Sequence, residues 1–314
     1  MAFELKANES VGEAVKRIAR HQLQGALGQL KSRLLRDEAV HEARKHFKRL
    51  RALLRLVRSE LGDEIYRREN SCFRDAGQPL TEVRDARVLL DTLEQLSTSV
   101  TGKVPPKAFE PVRKALEKHR RAVRKRVLQE QDAVTRVRAA AEEACERLDS
   151  WPIEHDGWAA IKDGLQDVYK KGCRSFAAAL ADPTVEVLHE WRKQSKYLWH
   201  QIQILEPLWP ELLEKLADEV HRLTQILGDD HDLAVLRQTV LADPDAFGGD
   251  RTLEVLLALA DRRREEVQQQ AFSLGKRIYE DNPRGFADRI HGYWKAWRSE
   301  GDATAAEAGK SGQT

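Results

Sequence analysis

The strongest chemical signal in the sequence is a run of basic residues between positions 41 and 58. Seven of these eighteen residues are Lys or Arg, and Glu42 is the only acidic residue among them. At about 100° per residue, a helix over this stretch would be apolar on one face and positively charged on the other. The charged face predicts an anionic partner. Its members are His41, Arg44, Lys45, Lys48 and Arg55.

The same pattern of a helix with one basic face recurs later in the chain. HEARK at position 41 corresponds to HEWRK at position 189, and VRDARVL at 83 corresponds to DHDLAVL at 230. Two motifs in the same order, at offsets of 148 and 147, indicate an internal repeat. We therefore predict two helical bundles, residues 1–152 and 153–300, related by a pseudo-two-fold axis. The basic face of the second copy comprises His189, Arg192, Lys193, Lys196 and His200.

Composition and periodicity favour an all-α protein with a charged exterior. The 314 residues are 41% hydrophobic and 33% charged, and 53 basic residues nearly cancel 51 acidic ones to leave +2. The distribution of charge is therefore more informative than its sum. Helical periodicity recurs along the chain, including one long helix predicted over residues 107–148, and no run shows the alternation of a strand. Residues 301–314 are small and polar, which predicts a disordered tail.

Cysteine usage and the chain's first residues indicate a cytoplasmic protein. Cys72, Cys145 and Cys173 are widely spaced and form no paired motif, as expected for free thiols in a reducing compartment. The first residues lack the apolar run of a signal peptide, and nowhere do 18 consecutive apolar residues occur. We expect no membrane partner, no cofactor, no metal and no catalytic residue.

The two HExRKxxK helices, together with LGDDHDLAVL at 227–236, resemble the CHAD family over residues 5–298. The resemblance implies two antiparallel four-helix bundles around a basic central channel. It also implies binding of long-chain inorganic polyphosphate without hydrolysis, and association with polyphosphate granules. Sulfate or phosphate ions would be expected in such a channel.

The resemblance carries over to individual residues only where the motifs match. The first signature helix adds Arg51 to the basic face named above, and Tyr197 stands in the second helix where the first has Arg49. The second motif contributes Arg84 with Asp85, and His231 with Asp232, whose carboxylates we expect to orient neighbouring cations. Looser patterns in the opening helices add four binding residues: Arg17, Arg20, Lys171 and Arg174.

These residue types suit a polyanion that has no bases. Arg offers a planar fork of donors matched to phosphate oxygens, Lys a mobile point charge, and His a charge that depends on pH. Residues at i, i+3, i+4 and i+7 of a helix span roughly 10 Å, enough to contact several phosphates. No aromatic residue lies on the two basic faces, whereas single-stranded nucleic acid is usually bound with stacking aromatics.

Three alternatives remain open at this stage. The same cations could bind a nucleic-acid backbone, although no recognition motif accompanies them. The acidic run Asp229–Asp232, which includes His231, could indicate a metal-dependent phosphate hydrolase or a metal chelator, but cations dominate the residues that the two halves share. A purely structural scaffold would bind neither ligand.

Overall fold

The computed structural model describes the backbone of residues 3–31, 36–99, 105, 107–247 and 250–311, and the side chains of these except 250–252 and 302–311. Within those residues the chain forms eleven α-helices and no β-strand, which confirms the all-α prediction. The helices are α1 (Val11–Gln29), α2 (Asp37–Leu56), α3 (Arg58–Gly77), α4 (Thr81–Ser99), α5 (Glu110–Arg124), α6 (Ala133–Arg147), α7 (Ala159–Ala181), α8 (Val185–Leu205), α9 (Pro210–Ala242), α10 (Asp250–Ile278) and α11 (Pro283–Ser311).

Helix starts follow local sequence rules. Ser10 and Glu13 form a capping box, in which the Ser10 hydroxyl accepts from the Glu13 amide at 3.2 Å and the Glu13 carboxylate accepts from the Ser10 amide at 2.9 Å. Thr184 caps α8 through the amide of Val187. Acidic residues open α2, where they face the positive end of its dipole.

The two signature helices, α2 and α8, pack against each other at the centre of the molecule. Helices α1 and α3 flank α2, while α7 and α9 flank α8. The apolar side of α2 includes Phe47 and Leu50, that of α8 includes Trp191 and Leu198, and all four side chains are buried in one continuous core. A second core joins α4 and α5 to α9 and α10.

Hydrogen bonds also join the two halves of the chain. The Gln201 side-chain amide donates to the Ala52 carbonyl, and the Leu5 amide donates to the Ile204 carbonyl at 3.0 Å. One buried core also contains residues of both halves, and the boundary after residue 152 stays a prediction. The pseudo-two-fold relation between two bundles stays a prediction.

Two segments differ from the sequence-based expectations. The single helix predicted over residues 107–148 is wrong, because a π-helical segment (Lys125–Glu130) and Asp132, with φ of 45°, separate α5 from α6. The tail predicted as disordered is helical to Ser311, in keeping with its alanine content, and residues 312–314 lie outside the described part. Among the described residues, no helix is long and apolar enough to cross a bilayer.

Candidate functional site

Basic side chains from both halves converge where α2 and α8 meet α4. We call five of them the basic cluster: Arg44, Lys48, Arg84, Arg192 and Lys196. The apolar backs of α2 and α8 fix this geometry, because Phe47 and Trp191 point into the core and leave the opposite faces for the cations. The cluster thus combines charges that lie 148 positions apart in sequence.

Lys48 and Lys196 occupy equivalent positions of the two signature helices. Burial, helped by Arg44 and Arg192, lowers the pKa of Lys48 to about 7. Burial also lowers the pKa of Lys196 well below its ordinary value, with Arg192 and Lys48 adding to the effect. Within the described residues, neither ammonium group has a hydrogen bond or an ion pair. Two half-buried cations are thus held close to like charges without a bonded acceptor.

The two cluster arginines on α2 and α8 are held differently. Arg44 donates to the Gly77 carbonyl at 2.5 Å and to the Thr81 hydroxyl, so its guanidinium is fixed at the turn between α3 and α4. Burial lowers its pKa to about 10. Arg192 packs against Gly228, and its buried Nε has no hydrogen-bond partner among the described residues. Burial lowers the pKa of Arg192 as well.

Arg84 is the cluster cation that is bonded to carboxylates. It donates to Asp85 at 3.1 Å and to Asp232 of the other half at 3.4 Å. Burial opposes its charge, but Asp232 and Asp85 outweigh burial and raise the pKa of Arg84 above its usual range. Asp85 and Asp232 therefore act on a neighbouring cation, as the motif suggested.

Two predicted lysines lie at the margin of the cluster and are paired. Lys45 donates to Glu42 at 3.0 Å, and Lys193 is paired with Glu190. Both pairs are partly exposed, and each joins residues three positions apart on its helix. Exposed pairs of this kind contribute about 0.2–1 kcal/mol. Glu42 and Glu190 therefore reduce the positive charge at the margin, whereas Lys48 and Lys196 have no such acidic partner among the described residues.

The signature histidines are exposed at the start of the basic faces. Partial burial lowers the pKa of His41 and of His189, and nearby cations add to the effect. The rings of His189 and His231 lie 4.5 Å apart, which places the second motif beside the second signature helix. Burial and His189 lower the pKa of His231 to about 4, so this ring is neutral at pH 7.

His200 does not contribute to an exposed basic face. Its side chain is buried with 4% exposure, its Nδ1 lies 3.0 Å from the side-chain Oε1 of Gln203, and it stacks on Trp199. Burial lowers the pKa of His200 to about 3. The helical wheel placed it with the cations because the wheel does not show which neighbouring helix covers the ring.

Arg51 and Arg55 fill the interface between the halves. Arg55 lies 3.8 Å from the centroid of the Tyr197 ring, and both arginines donate to the side-chain Oδ1 of Asn70. Burial lowers the pKa of Arg55. Tyr197, which replaces a basic residue of the first copy, is therefore used to hold Arg55, whose charge is already engaged by protein groups.

Three of the four residues predicted from the opening helices are paired with carboxylates. Arg17 is paired with Glu9, Arg20 with Asp149 at 2.7 Å, and Lys171 with Asp167 at 2.6 Å. None of the three is among the main charges that act on Lys48 and Lys196. Arg174 is exposed one turn after Lys171 on α7.

One neighbour of the cluster gave no signal in the sequence. His221 of α9 stacks on Trp199 at 3.9 Å, and burial together with Lys196 lowers its pKa. The equivalent position 148 residues earlier is Phe73, a buried apolar residue, so comparing the two halves could not find it.

A large cavity lies away from the basic cluster. It encloses ≈ 860 Å³ and is lined by Arg36, Asp37, Arg120 and Arg124, among others. Asp37 is bound by both Arg120 and Arg124, so these two guanidinium groups already have an acidic partner. We therefore place the candidate site at the cluster, where Lys48 and Lys196 have no bonded acceptor among the described residues.

The donor set of the cluster suits an anion with oxygen acceptors. Lys and Arg bring donors only, and their positive field is strengthened by partial burial. Among the described residues, no group of three or more His, Cys, Asp and Glu side chains is placed to hold a metal ion.

Comparison with known proteins supports a family assignment. The model of the CHAD domain matches residues 17–241, more than half of the chain. Among solved structures, the crystal structure of the CHAD domain from the plant Ricinus communis is similar, with a TM-score of 0.54 and 15% identity over 93% of this chain and 95% of that one. At this identity the similarity concerns the fold. No curated protein sequence matches the chain.

Proposed function

The chain belongs to the CHAD family, and we propose that it binds long-chain inorganic polyphosphate at the basic cluster without hydrolysing it. The observation that carries the proposal is the pair Lys48 and Lys196. Both are half-buried, both lie beside other cations, and neither has a bonded acceptor within the described part of the chain. A bound polyanion would supply the missing negative charge.

The energetics of the cluster favour a ligand of high charge density. Holding like charges together in a partly desolvated place is unfavourable, as the lowered pKa of Lys48 reflects. A polyphosphate carries about one negative charge per phosphate and presents only acceptors, which match charge-assisted donation from Lys and Arg. Its binding would offset the repulsion among the cations and satisfy their donors at once.

The direct test is a double substitution at the centre of the cluster. We expect Lys48→Gln with Lys196→Gln to weaken long-chain polyphosphate binding on the order of 100-fold, because each lost contact to a charged group removes about 1.5 kcal/mol or more. Binding would be measured by titration calorimetry at fixed salt. Lys114→Gln with Lys215→Gln is the matched control, since these exposed lysines also come one from each half.

Two outcomes would contradict the proposal. One is unchanged affinity in a well-folded Lys48→Gln, Lys196→Gln protein. The other is release of orthophosphate from the polymer during incubation, which would indicate hydrolysis. Competition separates the remaining alternative: long-chain polyphosphate should displace DNA at low molar ratio, and displacement only in the opposite direction would favour a nucleic-acid backbone as the ligand.

The proposal extends to location in the cell. If the cluster holds long chains, a fluorescent fusion of the protein should collect at polyphosphate granules in cells that form them. The fusion carrying Lys48→Gln and Lys196→Gln should stay diffuse. Accumulation of both fusions at granules would show that another surface directs the protein there.

A further inference from the structure

Two carboxylates at equivalent positions of the repeat share one arginine of the basic cluster. Asp85 and Asp232 lie 147 positions apart, and both are bonded to Arg84. Asp232 is the more enclosed of the two, with a side-chain exposure of 18% against 43% for Asp85. The Arg84–Asp232 pair also joins the two halves of the chain.

Asp232 acts on the cations of its own half as well. Its charge favours the protonated forms of Arg192 and Lys196, although neither forms an ion pair with it among the described contacts. One carboxylate thus partly neutralises three cations of the cluster, two of them without a bond.

The second motif carries less positive charge than its equivalent in the first half. Arg84 precedes Asp85, but His231 precedes Asp232, and its pKa of about 4 leaves it neutral at pH 7. Asp85 and Asp232 therefore both face the guanidinium of Arg84. The cations that α2 and α8 contribute to the basic cluster lie next to this group. A phosphate that approaches Arg84 meets negative charge that is already bonded to it.

We infer that Asp232 is a specificity-determining residue, whose carboxylate competes with ligand phosphates for Arg84 and so selects long polyphosphate over short. A short phosphate chain would be repelled by Asp232 while making few compensating contacts. A long chain can place its phosphates on Lys48, Lys196 and Arg192, so its affinity depends less on displacing Asp232 from Arg84, and Asp232 weakens its binding less than that of a short chain. The inference rests on the proposed function.

The test compares the dissociation constants of tripolyphosphate and long-chain polyphosphate in each variant. We expect Asp232→Asn to tighten tripolyphosphate binding about tenfold and long-chain binding less than about threefold, so that the length preference falls. Asp85→Asn should have a smaller effect, because Asp85 is more exposed. Asp75→Asn, which changes the same charge on a surface pair with Arg74, should leave both constants unchanged.

An unchanged length preference in folded Asp232→Asn protein would overturn the inference, as would a loss of affinity for both ligands. Failure of the proposed function gives a different result, since the unmodified protein would then bind neither ligand. If Asp232→Asn does not fold, the exchange is followed in the unmodified protein by the NMR signal of Arg84 Nε–Hε. That signal should shift on addition of long-chain polyphosphate, and an unshifted signal during saturable binding would contradict the exchange.

Discussion

Lys48 and Lys196 are better explained by binding than by stability. A half-buried ammonium group beside like charges and without a bonded partner destabilises a folded protein unless something else compensates for it. Here the nearest charges include further cations, and burial is the main cause of both lowered pKa values. Such an arrangement is expected where a ligand provides the counter-charge and the ligand-free protein is less stable as a result.

Replacement of Lys48 by Met should therefore stabilise the ligand-free protein while weakening polyphosphate binding. We expect a gain of about 1–2 kcal/mol in the free energy of unfolding near pH 6, where Lys48 is charged. The folded pKa of about 7 lies below the ordinary 10.5, so the unfolded state binds more protons in between, and stability should rise with pH through this window. Urea unfolding at several pH values would measure both effects.

The control for this prediction is Lys114→Met, at an exposed position of α5. It should change stability little and leave the pH dependence intact. Lower stability of Lys48→Met at every pH, or an unchanged slope between neutral and alkaline pH, would contradict the assignment of that slope to Lys48.

The pH dependence of binding should also follow Lys48 more than the histidines. A polyanion favours the charged form, so affinity should be high below pH 7 and fall as the pH rises above the free pKa of about 7. The sequence alone suggested tightening below about 6.5 through protonation of histidine. Because the pKa values of His41 and His189 are lowered, their contribution moves to more acidic pH.

Calorimetric affinities between neutral and alkaline pH, for the unmodified protein and for Lys48→Gln, would test this. The Lys48→Gln protein should lose most of the change. An equally large change in both proteins, or one confined to acidic pH, would assign the dependence to the histidines.

How far the sequence predicts these side chains depends on what covers them. A helical wheel correctly separates Arg44 and Lys48 from Phe47, because burial of one helix face is a local pattern. It cannot distinguish Lys196, which stays beside the cations, from His200, which a neighbouring element buries. The pairing of Arg84 with Asp232 joins residues that are far apart in sequence. The second motif predicted only that these carboxylates orient neighbouring cations.

Among the helices, the contact between α2 and α7 is unusually close. A Cβ atom at Gly164 of α7 would lie 2.1 Å from the carbonyl oxygen of Leu56, at the end of α2. That distance is far below a van der Waals contact, and the atom opposite belongs to the backbone. Glycine at this position therefore lets α7 pack directly on the helix that carries Lys48.

Gly164→Ala should accordingly destabilise the protein by about 1–3 kcal/mol, the usual cost of overpacking a core. Gly28→Ala is the matched control, because a Cβ there meets nothing within 4 Å and alanine is favoured over glycine in a helix by about 0.5–1 kcal/mol. Thermal and urea unfolding would measure both. A Gly164→Ala protein as stable as the parent would mean that α7 can move away from α2 at little cost.

The sequence predicts helix existence better than helix continuity. Periodicity and caps indicate most of the helices, because these signals are local. The long helix predicted over residues 107–148 is interrupted at Asp132, where the sequence has no glycine or proline that would predict a helix break. Conversely, α9 continues through Gly228, whose lack of a side chain leaves room for the Arg192 guanidinium.

The whole molecule carries almost no net charge, so its affinity for a polyanion has to come from charge concentrated in one place. The chain's net charge is +2, while five cations meet in the basic cluster and pairs such as Lys45 with Glu42 neutralise its margin. The shared core holds α2 and α8 together. This packing brings the cluster cations of both halves close enough for their electrostatic potentials to add.

Salt should therefore weaken binding. The steepness with which affinity falls as the salt concentration rises should depend on the cluster cations rather than on the net charge of the protein. If the five cations neutralise five phosphates, the log–log slope of affinity against salt should be roughly −3 to −4, by analogy with single-stranded polyanions. The Lys48→Gln, Lys196→Gln protein should show a slope smaller by roughly 1 to 2. Equal slopes in the two proteins would place the contacts elsewhere.

The most direct measurement of the central claim is an NMR titration of the Lys48 and Lys196 side-chain ammonium groups with and without long-chain polyphosphate. Without ligand, Lys48 should titrate near pH 7 and Lys196 well below its ordinary range. With ligand, both pKa values should rise together, because one polyanion would stabilise both charges. Lysines that titrate normally in the free protein, or pKa values that do not change when polyphosphate binds, would contradict a shared binding site between the two helices.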